Sequence, residues 1–398
     1  MIPEVNPANQ LVILMESTGY LWTTGHFETT LLPNKLFVGH VKNEVLPQIT
    51  HALVKLLVKD AEDDSDYVSS PRKSSISSSY SGTPTPMGGI SEEIQMLNME
   101  ELDEDNGESG SGVNMLLVHD VDGCTVIVNE RYRRYLTLSN VVSLMDWAPV
   151  SWRAMQIHLG PAGADAPGII SYLSSELSEK NISILNFSTF DADLILVQEF
   201  DLKKVTALLS AFGKDGVCGL KEQMVEKNLV ERVNSPRSPA KKKVFHGALS
   251  VLPSNLVLSS IRRSMLKQSM FGLMKHLTRN IDKVSEADSV SSKDFLWAYF
   301  STKEEVSLLV DERDLIDFAE ESLTSCPQQW KAIRLVGKDI PFDETGIVKL
   351  MSSPYTLGVH LLNLSTFKTN ISLVSEQNVN IAVSRLQQDL NSEEVAVL

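Results

Sequence analysis

Between Trp152 and Phe212 the apolar positions change period in a definite order. Met155 to Leu159 reads as a short strand. Pro167-Gly168 then opens a helix over Ile169 to Lys180, in which Ile169, Leu173 and Leu177 recur at i, i+4 and i+8. Ile182 to Phe187 is apolar on both faces, as a central strand requires, and Leu194 to Gln198 is the next strand. Asp201 is placed to cap a last helix, with Val205, Leu208, Leu209 and Phe212 on its inner face. The order β-α-β-β-α, closed by one more strand, predicts an α+β ferredoxin-like unit: an antiparallel sheet with both helices on one face.

The pattern recurs. Trp152-Arg153-Ala154 returns as Trp330-Lys331-Ala332, and Gly168-Ile169-Ile170 as Gly346-Ile347-Val348, both at an offset of 178. Leu185-Asn186-Phe187-Ser188-Thr189-Phe190 returns as Leu362-Asn363-Leu364-Ser365-Thr366-Phe367 at 177, and Val128-Asn129-Glu130-Arg131 is echoed by Val310-Asp311-Glu312-Arg313. The expected architecture is a tandem duplication of a two-unit half. Lys35 to His40 (strand), Leu46 to Val58 (helix) and the hairpin Val113 to Val128 supply the first unit. In the third, Val244 to Val251 is a strand, Leu252-Pro253 opens a helix to about Leu266, and Phe295 to Val310 is the hairpin. Val379, Val383 and Leu386 face inward in the closing helix of the fourth. The expected boundaries are an extension at 1–34, units at 35–148, 149–233, 244–326 and 327–398, and a linker at 234–243 rich in Ser-Pro and lysine. Units of this size leave no room for a separate catalytic domain.

Charge adds one segment to this picture. The 398 residues carry 36 basic and 51 acidic side chains, a net of −15, and Asp60 to Gly112 alone contributes −11. That stretch is also Ser-rich and too polar to offset its ordering entropy, so residues 60–112 are expected to form a disordered insert in the first unit. Within it, Ile94, Leu97 and Leu102 among acids fit either a solvated insertion or a partner-docking helix. The acidic balance argues against nucleic acid. No apolar run approaches a membrane span, and Cys124, Cys218 and Cys326 form no metal or disulfide framework, which points to a reduced, cytoplasmic setting.

The chain has no phosphate-binding loop, nucleophile elbow or H-E-x-x-H motif, and its eight histidines are scattered. No enzyme activity and no cofactor are expected. Trp152 and Trp330 read as core or interface residues. Asp191 and Asp193 flank one residue between two strands, fitting a hairpin turn or a partner contact; the second copy has Lys368 and Asn370 there.

Repeated ACT-type units, with Gly-Ile-Val at a helix start and Ser-Thr-Phe at a strand end, make the chain resemble the CASTOR family of cytosolic arginine sensors of TOR complex 1 signalling. The resemblance is strongest over Ser183 to Val197 and Phe342 to Val374. It implies four ACT modules and a free amino acid held between the second and fourth. Ser183 and Ile184 would form one wall. Phe342, Asp343, Glu344, Thr345, Gly346 and Ile347, with Thr366, Phe367, Thr369 and Asn370, would form the other. Gly346 would let the backbone approach a carboxylate at the helix start, or it serves a plain tight turn. Asp343 or Glu344 would pair an ammonium, and carbonyls at Thr366 and Phe367 would accept from a basic side chain. Asn370 stands where the arginine sensors have an Asp, which points away from arginine in particular. By the same resemblance, Phe190, Asp191 and Asp193 would face a GATOR-type regulatory complex, and the chain would be a homodimer. Two alternatives from other classes stand beside this one: a regulatory subunit of an amino-acid metabolic enzyme, and a scaffold that has lost its ligand.

Overall fold

The computed structural model describes residues 28–62, 112–158, 169–212, 217–218, 245, 247–279, 295–336, 341–390 and 395–397. The first half runs β1 (Glu28–Val41), α1 (Leu46–Glu62), β2 (Val113–Asp120), β3 (Gly123–Asn129), α2 (Glu130–Leu138), β4 (Asp146–Trp147), β5 (Trp152–His158), α3 (Ile169–Glu179), β6 (Ile184–Ser188), β7 (Asp193–Gln198), α4 (Leu202–Phe212) and β8 (Val217–Cys218). The second runs β9 (Ala248–Val251), β10 (Leu256–Ile261), α5 (Leu266–Thr278), β11 (Leu296–Thr302), β12 (Val306–Asp311), β13 (Leu323–Val336), α6 (Ile347–Met351), β14 (Leu361–Ser365), β15 (Asn370–Val374), α7 (Val379–Leu390) and β16 (Val395–Val397). No described helix is long and apolar enough to cross a membrane.

The strands join in one sheet, in the order β10-β12-β11-β2-β3-β1-β5-β7-β6-β14-β15-β13, and β13 pairs back onto β10, so the sheet closes on itself. Closure follows from two-faced strands. In β2, Leu116 and Val118 point into an inner core with Trp152, Phe187, Phe300, Trp330 and Leu364. Met115 and Leu117, one residue out of phase, point outward into a core that includes Leu53 of α1 and Leu273 of α5. The helices cover the outside. Leu173 and Leu177 of α3 pack with Val205 and Leu208 of α4 in a second outer core, and Met351 of α6 packs with Leu386 of α7 in a third. Both tryptophans are thus core residues.

Three local expectations are corrected. The helix expected from Leu252 to about Leu266 is the strand β10, and the helix begins at Leu266. Pro253 breaks the chain between two strands rather than opening a helix. Leu256 and Leu258 face the inner core while Ile261 faces the outer one, an alternation of period two, with β12 and β13 bonded along the two edges. The first half holds the same signal: in β1 the register shifts between Leu31 and Lys35, around Pro33, and Leu32-Pro33…Leu36 matches Leu252-Pro253…Leu256 in spacing. Second, β1 begins at Glu28 and crosses the expected boundary at 34/35, and β13 crosses the one at 326/327.

Third, the acidic insert does not begin at Asp60. Helix α1 runs to Glu62, and Asp60 is fully buried. Its carboxylate accepts from Tyr299 Oη (2.5 Å) and Asn114 Nδ2 (2.8 Å), and Arg263 lies at 3.3 Å. Both carboxylate oxygens therefore have donors, which offsets the cost of burying the group. Residues 63–111, the linker at 234–243 and Gly168 lie outside the described residues.

Candidate functional site

The two repeats meet at the edge-to-edge contact of β6 and β14, centred on Phe187 opposite Leu364. Those residues occupy the same position in the repeat, so an approximate two-fold axis passes between them. The hydrogen bonds obey it: Asn186 N donates to Ser365 Oγ (2.9 Å), and Asn363 N donates to Ser188 Oγ (3.1 Å). Next to this seam sit the counterparts Asp193 and Asn370. Asp193 accepts from Ser188 Oγ (2.6 Å), and burial pushes its carboxyl up to about 6. Asn370 is buried, and both ends of its amide are bonded. Its oxygen accepts from Asn363 Nδ2 (2.6 Å), and its nitrogen donates to Asn363 Oδ1 (3.2 Å) and Ser365 Oγ (3.0 Å).

Each repeat also sends a turn onto the opposite half. At Thr189–Ala192, Phe190 N donates to Ser307 Oγ (2.9 Å) in β12; at Thr366–Thr369, Phe367 N donates to Thr125 Oγ1 (2.8 Å) in β3. The first turn has a further anchor, the buried Glu305 carboxylate, which accepts from Phe190 N (2.9 Å), Asp191 N (3.3 Å) and Thr189 Oγ1 (3.1 Å). Burial and the nearby Asp191 raise the Glu305 carboxyl above its ordinary value. Of the residues expected to face a partner, Asp191 is exposed, Phe190 is half-buried against the inner core, and Asp193 is drawn into the seam. The second turn is held by stacking. Phe367 lies parallel to Phe342 (4.5 Å between centroids) on one side and to His40 (5.3 Å) on the other, and Phe342 in turn leans over Trp152 (5.9 Å). Neither His40 ring nitrogen has a partner among the described residues, and burial depresses its pKa to about 4, so the ring is neutral.

Beside the second turn lies a narrow cleft of about 10 Å³, room for roughly one water. Ile184 of β6, Leu335 of β13, and Pro341, Phe342, Ile347 and Val348 form its apolar side; Ser365, Lys368, Thr369 and Asn370 form its polar rim. Five of the anticipated residues therefore line it together: Ile184, Phe342, Ile347, Thr369 and Asn370. Others shape it from behind. Ser183 Oγ donates to the Asp343 carbonyl (2.5 Å), and Gln198 Nε2 donates to the Asp343 carboxylate (3.0 Å). Thr366 Oγ1 accepts from Thr369 N (2.9 Å) and stiffens the turn, while Thr369 Oγ1 donates to the Leu335 carbonyl. Glu344 N closes a turn on the Pro341 carbonyl (3.0 Å), and Thr345 follows it half-buried.

Gly346 has φ +95°, and an added Cβ would come within 3.0 Å of Ser178 Oγ on α3. It thus serves both the left-handed turn and the close approach of two helices. Helix α6 behind it has only five residues, so its dipole is weak; the formal charge at the cleft is that of Lys368. Lys368, Leu335, Val348 and Gln198 were not anticipated. Lys368 carried a faint signal, being flanked by two anticipated residues and opposite in charge to its counterpart Asp191. The others arrive through strand pairing and helix packing, which one sequence does not display.

A model of the ACT domain matches residues 148–211 and 325–388, the stretches that carry β5 to α4 and β13 to α7, so both are ACT-type modules. Among curated proteins the chain is similar to the cytosolic arginine sensor for mTORC1 subunit 1 of Pongo abelii, 23% identical over 283 residues that cover 66% of this chain and 82% of the relative. The protein of that name from Mus musculus is 22% identical over 292 residues, covering 68% and 83%. Among solved structures, an aspartate kinase from Synechocystis aligns with 93% of this chain and 57% of its own at 10% identity; its TM-score of 0.28 is too low to speak for the fold.

Proposed function

We propose that this chain is a non-catalytic amino-acid sensor of the CASTOR type, built of four ACT modules. It binds a free amino acid between the second and fourth modules and switches a partner interaction in TOR complex 1 signalling. The observation that carries this reading is the cleft itself. It joins Ile184 from one ACT-matched segment to Ile347, Thr369 and Asn370 from the other, at the seam between them. The distant relatives, named as sensors, support the same role. A GATOR-type complex as partner, a homodimer and a cytoplasmic location belong to the same proposal.

The cleft is closed down on Phe342, which stacks on Phe367 and covers Trp152. Admitting a ligand requires the Pro341–Thr345 loop to move outward, and that motion pulls on the turn seated against His40. Binding is thereby coupled to the contact between the fourth module and the first.

The test is a thermal-shift screen of the full chain against the twenty amino acids. A ligand at one hundred times its Kd stabilises the folded state by roughly 2.7 kcal/mol. A set of twenty flat responses would overturn the reading. Gly346→Asp is expected to abolish the response, because a side chain there meets Ser178 Oγ on α3, pushes on the helix start that carries Ile347, and adds roughly 1–2 kcal/mol of backbone strain. An unchanged calorimetric affinity in that variant would remove Gly346 from the site.

A further inference from the structure

The geometry points to a ligand with an uncharged, aliphatic side chain, held by its carboxylate at Lys368, and to the rejection of arginine and lysine; this rests on the amino-acid-sensing reading above. Three observations carry it. First, Lys368 is the one charged side chain lining the cleft among the described residues. Its ammonium lies 5.7 Å from the Phe367 ring centroid. A cation lining the cleft attracts an α-carboxylate and repels a second cation.

Second, the position best placed to receive a cationic side chain is neutral and already bonded. The Asn370 oxygen accepts from Asn363, and its nitrogen donates to Asn363 and Ser365, so the amide offers a guanidinium at most one uncharged lone pair. The carboxylate of the Pro341–Thr345 loop does not substitute for it. Asp343 is bonded to Gln198 through its side chain and to Ser183 through its carbonyl, and it is absent from the lining. Third, Ile184, Leu335, Phe342, Ile347 and Val348 line the same cleft as Lys368. An aliphatic side chain gains apolar burial against them, whereas an ionised one loses hydration without compensation.

The experiment is calorimetric titration of the full-length protein with leucine, valine, methionine, arginine, lysine and glutamate. The expected result is binding of at least one of the three apolar amino acids, with arginine and lysine at least tenfold weaker. Lys368→Met is expected to weaken the apolar ligand at least tenfold while the melting temperature of the free protein stays within a degree or two, and Lys368→Arg is expected to restore most of the affinity. Arginine binding tighter than the apolar amino acids would overturn this inference and leave the sensing reading intact. Apolar binding that is indifferent to Lys368→Met would overturn the carboxylate assignment. No binding of any of the six, together with no response in the twenty-amino-acid screen, would overturn both.

Discussion

The turns at Thr189–Ala192 and Thr366–Thr369 are copies of one design with different anchors. In both, the threonine side chain closes the turn, and the next residue donates its backbone N–H to a hydroxyl on the opposite half. Beyond that they diverge. Glu305 gathers the backbone and side-chain donors of the first turn into one buried carboxylate. The hairpin position matching Glu305 in the other half is Gly123, with φ +134° and an imaginary Cβ only 2.2 Å from the Val41 carbonyl. No carboxylate fits there, and the second turn rests on the His40 ring instead. A bonded anion holds one geometry, while stacked rings tolerate sliding. The duplicated scaffold therefore has one locked seam and one compliant seam, and the cleft lies at the compliant one.

The most drastic way to break this contrast is Gly123→Glu, which copies the lock onto the second seam. The clash with a strand carbonyl and the loss of a positive φ predict a cost above about 3 kcal/mol or failure to fold, read by urea unfolding. Wild-type stability in this variant would show that the backbone at 123 is free to move. Next comes Glu305→Ala, which takes the shared acceptor from Asp191 N, Phe190 N, Thr189 Oγ1 and Ser307 Oγ and leaves a void, although Phe190 N keeps Ser307 Oγ and Thr189 Oγ1 keeps the Ala192 carbonyl. About 3 kcal/mol is expected, with Glu305→Gln costing less than half of that because an amide oxygen still accepts. A loss under about 1 kcal/mol for the alanine variant would mean the first seam is not locked by Glu305.

The paired variants Phe367→Ala and Phe190→Ala test the stacked seam. Phe367 loses two ring partners, each worth about 0.5–1.5 kcal/mol beyond area, so its truncation should be the costlier by roughly 1 kcal/mol. Equal effects would deny the stack a special role.

The smallest effect is in pH. Asp193 titrates near 6 when folded against an ordinary 3.8, so the folded state holds its proton more tightly between those values. The stability this contributes is full below 3.8 and is lost as pH rises through about 6. Asp193→Asn, which copies Asn370 onto the first seam, removes that loss. Relative to wild type the variant should gain about 1 kcal/mol between about pH 4 and pH 8, after allowance for partial exposure. The comparison must be between variants, because His40 and His119, depressed by burial to about 4 and 3, act in the opposite direction as the unfolded chain protonates below 6.5. A difference that does not change with pH would place Asp193 in water.

The family resemblance named five of the ten residues that line the cleft; the sequence by itself determined the repeated β-α-β-β-α order and the paired tryptophans in the core. These are legible because helical and strand periods are local, and because a duplicated chain prints its equivalences twice. Even the missed strand β10 was present locally, as the same Leu-Pro spacing found in β1. Only the tertiary structure decided which charges are buried and what meets them. Asp60 looks like the first residue of an acidic run until Tyr299 and Asn114 arrive from distant strands. Glu305 is an ordinary hairpin acid until a turn more than a hundred residues away in sequence settles on it. Lys368 becomes the charge of a site only because β6 and β14 pair at a single register. The energy of a buried polar group is set by its partners, and partners so far apart in the chain leave no periodicity to read.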